Sequence, residues 1–87
     1  MIFISLFKFR QKPTKKGIAE NLKLIEKESK EEVKYLGIYY TLGRYDAVSI
    51  MEAPDEKVAM KSSMRRGWAA IETLVAVPAV EARKLVE

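Results

Sequence analysis

The run Tyr39-Tyr40-Thr41-Leu42-Gly43-Arg44-Tyr45-Asp46-Ala47-Val48 constrains this chain more than any other segment. Two β-rich stretches meet at a Gly-Arg step, which predicts a tight hairpin with Gly43 at the first central turn position, where φ is positive. With Gly43-Arg44 as a two-residue loop, Leu42 falls opposite Tyr45, Tyr40 opposite Ala47 and Ile38 opposite Ser49. The other face then carries Tyr35, Tyr39, Thr41, Asp46, Val48 and Ile50. Apolar side chains therefore reach both faces of whatever sheet this hairpin joins.

The flanking segments complete the pattern. Ile2 to about Phe9 reads as a strand with Ile2, Ile4 and Leu6 on one face and Phe3, Phe7 and Phe9 on the other. After the polar loop Arg10-Gln11-Lys12-Pro13, Thr14 is placed to cap a helix. Its start is expected nearer Gly17, because Lys15 and Lys16 oppose the positive end of a helix dipole. Ile18, Leu22, Ile25 and Ser29 form the inward stripe, Leu24 lies off it, and the remaining Lys and Glu read as a solvated face. Strands follow over about Val33–Leu42 and Tyr45–Ala53.

Pro54-Asp55-Glu56 then opens a second helix with acidic residues at its positive end. Its inner stripe is Ala59, Met60, Ser63 and Met64, its outer stripe Lys57, Lys61 and Arg65, and Gly67 supplies a left-handed cap after Arg66. A last strand, Ala69 to Val77, and a short helix after Pro78, Ala79 to Val86, end the chain. The order β-α-β-β-α-β predicts an α+β fold: one ferredoxin-like domain over residues 1–87, strands in spatial order 4-1-3-2, with a short C-terminal helix.

Two long helices cover only one face of a four-stranded sheet. A second copy packed sheet to sheet through a two-fold contact covers the other, and a chain of 87 residues gains much from such a partner. A homodimer is expected, with room for a higher oligomer.

Composition narrows the chemistry. The chain has neither cysteine nor histidine, which removes disulfides, thiolate nucleophiles, the usual general base and the usual transition-metal ligand. Asp and Glu do not cluster at ligand spacing, so neither a metal nor a cofactor is expected. No apolar run approaches the roughly 20 residues of a bilayer span, and Met1 to Phe7 reads as a strand rather than a leader. A cytoplasmic location without membrane contact is the expectation.

The hairpin residues Thr41 to Val48, followed by Glu52-Ala53-Pro54-Asp55, resemble the GYD-domain family, named for its Gly-x-Tyr-Asp element, here Gly43-Arg44-Tyr45-Asp46. Glu72-Thr73-Leu74 matches the family's usual later strand. The resemblance implies a dimeric α/β barrel, two ferredoxin-like protomers with their sheets face to face. It carries no established activity. The same hairpin, with Gly67 to Leu74 after it, is similar to the effector domain of leucine-responsive transcription regulators, which binds amino acids between dimers. The DNA-binding half of those regulators has no counterpart here.

Two readings of the hairpin stand side by side. In the structural one Gly43 supplies the turn and Asp46 locks it through hydrogen bonds. In the functional one Tyr39, Thr41, Arg44, Tyr45 and Asp46 form a polar clamp on a small anionic or amino-acid-like ligand. Glu52 and Glu72, carboxylates on strands, are the acid–base candidates of an alternative, a cofactor-free monooxygenase or isomerase. That alternative expects an enclosed cavity beside the second helix, lined by Met60, Met64 and tyrosines. With no nucleophile–base pair, the balance leans away from an enzyme. Nucleic acid is not an expected partner despite a net charge of +4. Strand Tyr45 to Glu52 lacks the basic-Gly-aromatic pattern of RNA-binding sheets and ends in acid. The reading that results is a dimeric module that binds or regulates through a small metabolite.

Overall fold

A computed structural model describes residues 1–86. Its elements are β1 (Ile2–Phe9), α1 (Lys15–Ser29), β2 (Lys34–Tyr40), β3 (Ala47–Glu52), α2 (Glu56–Met64), β4 (Ala69–Ala76) and α3 (Ala79–Ala82), with a final 3₁₀ turn Arg83–Val86. The sheet is antiparallel throughout in the order β2-β3-β1-β4, the expected arrangement of a ferredoxin-like α+β fold. Among the described residues no helix is long and apolar enough to cross a membrane.

The two sheet faces differ sharply. Phe3 pairs with Met51, Ser5 with Ser49 and Phe7 with Ala47, and this set faces the helices. Phe3, Val33, Met51, Ala53 and Ala59 form the core there, with Tyr35 and Val58 against it. On the opposite face Ile4 pairs with Ile50 and with Leu74, and Leu6 with Val48. Those side chains are only half-buried by their own neighbours, and Leu74 is 44% exposed. The body is 18 Å thin along its shortest axis, the depth of one sheet and one helix layer. One apolar face is therefore bare.

Several local expectations need correction. Thr14 caps α1, its hydroxyl accepting the Gly17 N–H at 3.0 Å, so the helix starts at Lys15 rather than near Gly17. Its inward side is Ile18, Asn21, Leu24, Ile25 and Glu28, whereas Leu22 and Ser29 are exposed. The helix is rotated from its apolar stripe because two polar residues on it have a buried partner across the layer. In β2 a bulge between Tyr35 and Gly37 turns Tyr35 to the helix side, opposite to Tyr39. The pairs Tyr40–Ala47 and Ile38–Ser49 follow the expected register. The hairpin loop is wider than two residues, however, closed by Thr41 N–H to the Asp46 carbonyl at 3.0 Å.

Gly43 does hold a positive φ, 113°. Gly67 does not, so no left-handed residue caps α2; Arg65 ends it in a right-handed conformation. Asp55 begins α2 by accepting the Val58 N–H at 3.0 Å. Met60 and Met64 point to solvent at 60% and 79% exposure, and Ala59 and Ser62 face inward. The last helix shrinks to a single turn before the 3₁₀ segment, leaving Val80, Leu85 and Val86 exposed.

Candidate functional site

At the hairpin Thr41, Arg44, Tyr45 and Asp46 each have a partner within the chain. The Phe9 backbone N–H donates to Asp46 Oδ2 at 2.7 Å, and Lys8 Nζ lies 3.7 Å from Asp46 Oδ1. The Thr41 hydroxyl donates to the Tyr45 carbonyl at 2.7 Å. Arg44 lies over the Tyr45 ring, 5.5 Å from its centroid, a cation–π contact. The Tyr45 hydroxyl donates to Glu72 Oε2 at 2.9 Å, which holds the phenol above its ordinary value of 10.0. Tyr39 is separate: it pairs with Val48 on the bare face, its ring lying over Gly37. The group thus ties β3 to β1 and β4. Of the strand carboxylates, Glu72 serves this tie and Glu52 is exposed.

Between the layers lies a polar cluster with no counterpart in the expected pattern. Glu28, whose side chain is 1% exposed, receives Arg66 Nη2 on Oε1 at 2.7 Å and Nη1 on Oε2 at 3.2 Å. The Tyr35 hydroxyl donates to Oε1 at 2.6 Å, and Arg65 Nη1 approaches Oε2 at 3.3 Å. Arg66 also gives Nε–H to Asn21 Oδ1 and Nη1–H to the Ser62 carbonyl and hydroxyl. Its nitrogens are all engaged, so the cluster holds α1, α2 and β2 together rather than awaiting a ligand. Burial pushes the Glu28 carboxyl up, but the Arg66 and Tyr35 hydrogen bonds outweigh it and hold the pKa below 4.5. Burial, then the bond to Glu28, raises the Tyr35 phenol.

Beyond this cluster the helix layer opens into two joined clefts. The inner one, over Ser5, Ser49 and Ser63, has an accessible volume of about 30 Å³, room for about two waters. The outer one has about 650 Å³, within the range of roughly 300–1,000 Å³ usual for small-molecule sites. Phe9, Asn21, Tyr40 and Trp68 line both. The rings are clustered: Phe9 is 5.5 Å from Trp68 and 5.9 Å from Tyr40, and Phe7 stacks on Trp68 at 6.4 Å. Even so, Trp68 is 43% exposed and Tyr40 51% exposed, on the side of the sheet that the helices otherwise cover.

The rim of the outer cleft is basic. Arg10 is anchored by its backbone N–H to the Trp68 carbonyl at 3.1 Å and by Nε–H to the Gly67 carbonyl at 3.1 Å. Neither Arg10 nor Lys12 makes an ion pair among the described residues, whereas Arg65 meets Glu28 and Glu31. Glu20 is the acidic residue of the lining. Sequence spacing alone does not unite Phe9, Arg10 and Trp68. The antiparallel pairing of Phe9 with Ala69 does, and that signal is implicit in the strand order. Among the described residues no three Asp or Glu gather as a metal site.

The family model described as the GYD domain matches residues 3–86, essentially the whole length. No curated protein matches the chain.

Proposed function

The chain belongs to the GYD-domain family, and from that premise we propose that it is a homodimeric binding module for a small anionic metabolite held in the outer cleft. The observation that carries this reading is the conjunction of exposed aromatic rings with a basic rim whose Arg10 and Lys12 make no ion pair among the described residues. A guanidinium without a counter-charge among the described residues, beside a half-open aromatic floor, is poised for an anion with an apolar body. The hairpin set is a weaker clamp, because Thr41, Tyr45 and Asp46 already spend their polar atoms on the fold. Supporting the dimer is the bare face of Ile2, Ile4, Leu6, Val48, Ile50 and Leu74, on the far side of the sheet from the cleft. A second copy there leaves both clefts open to solvent.

A thermal-shift and calorimetric screen against organic acids and amino acids tests this reading. Binding that Arg10→Gln weakens and Arg44→Ala spares is the expected result. Binding lost in Arg44→Ala alone moves the site to the hairpin, and silence across the panel overturns the module itself.

A further inference from the structure

We propose that the ligand is a flat aromatic monocarboxylate, its ring against Trp68, Phe9 and Tyr40 and its carboxylate on the free fork of Arg10. This deepens the proposed function and rests on it. The ring half of the argument comes from geometry. Phe9 sits tilted at 56° to Trp68 and edge-on at 69° to Tyr40, so the three make a concave corner rather than a filled stack. Offset and edge-to-face contacts with a further ring complete such a corner and add to what area burial alone contributes. The inner cleft below is too narrow for a ring, so the ligand rests on the corner and does not pass through it.

The carboxylate half comes from Arg10. Its two anchors, both to the Gly67–Trp68 backbone, fix the residue beside Trp68, and among the described residues they engage only the backbone N–H and Nε–H. The terminal nitrogens are left as a planar pair of donors, which matches a carboxylate in two parallel hydrogen bonds. Lys12 adds a second positive charge on the same loop. Glu20, the acidic residue of the same lining, disfavours a second carboxylate on the ligand, which narrows the class to monoacids.

The chain has one tryptophan, so the Trp68 indole N–H gives a single resonance that reports on this corner. The experiment titrates the full chain with phenylacetate and benzoate, then with cyclohexanecarboxylate, benzamide, acetate and phthalate, following that resonance and calorimetric heat. The two aromatic monoacids are expected to move the resonance saturably and to bind at least about tenfold tighter than any comparator, a difference of about 1.4 kcal/mol. Arg10→Gln is expected to weaken phenylacetate by about tenfold and leave benzamide unchanged. Arg10→Lys keeps the charge but loses the fork, and is expected to fall between. Circular dichroism checks that each variant folds. Should aliphatic acids or amino acids bind in the cleft while aromatic acids do not, the ligand class is wrong and the binding-module reading survives. If no compound of either panel moves Trp68 or releases heat at millimolar concentration, both fall together.

Discussion

Replacing Glu28 by glutamine probes the interlock that sets the angle of α1 over the sheet. The carboxylate is 1% exposed and receives four hydrogen bonds, two from Arg66 and one each from Tyr35 and Arg65. Glutamine keeps the shape but turns one acceptor into an N–H donor aimed at other donors, and it leaves the Arg66 guanidinium, 3% exposed, without its counter-charge. Breaking one side of a buried pair costs about 3–5 kcal/mol. For a domain this small, whose total stability is of order 5–15 kcal/mol, that is a large share. The expected fall in Tm is about 15–27 °C. Thermal denaturation followed by circular dichroism measures it and urea denaturation gives the free energy, both at one fixed protein concentration because any association adds to apparent stability.

The acid limb of the same experiment has a defined sign. Glu28 has a folded pKa held below 4.5, so the unfolded chain binds its proton first as the pH falls. Its contribution is complete above pH 4.5 and drains away as the pH drops towards the lower folded value. In Glu28→Gln that limb flattens. The double variant Glu28→Leu/Arg66→Met, which removes both charges, is expected to recover much of the loss. A Glu28→Gln protein within about 1 kcal/mol of wild type, with its acid limb intact, would refute the reasoning.

Three further outcomes follow from the hairpin. Gly43→Ala meets no atom within 4 Å, so its cost, about 1–2 kcal/mol, is pure backbone strain at φ 113° and appears as a lower urea midpoint with an unchanged slope. Asp46→Ala frees the Phe9 N–H and is expected to cost about 1–2 kcal/mol, with faster amide exchange at Phe9. Glu72→Ala removes the acceptor that raises the Tyr45 phenol, so spectrophotometric titration should show one tyrosine ionising at lower pH than in the wild-type chain.

The elements that sequence makes legible are those decided locally. The hairpin register from Tyr40–Ala47 to Ile38–Ser49 follows from the turn and the β-rich runs on either side. The caps at Thr14 and Asp55 follow from side chains that satisfy free N–H groups at helix starts. What local pattern misses is decided across the layers. Glu28 and Asn21 look like members of a solvated face until Arg66, from the far end of α2, supplies their partner, and the helix turns inward to meet it. The bulge at Tyr35 has no local mark, since only the pairing with β3 shows the register skipping Leu36 between Tyr35–Met51 and Gly37–Ile50. The outer cleft stayed hidden for a related reason: Phe9 ends β1, Trp68 precedes β4, and the loop between β1 and α1 reads simply as basic and polar.

In the proposed function the two faces of one sheet have different tasks, a small ligand beside the helices and a second copy on the bare side. Sedimentation equilibrium of the wild-type chain at micromolar concentration tests that division most directly. A particle of twice 10.0 kDa that Ile4→Glu halves is the predicted result. A wild-type particle of 10.0 kDa contradicts it.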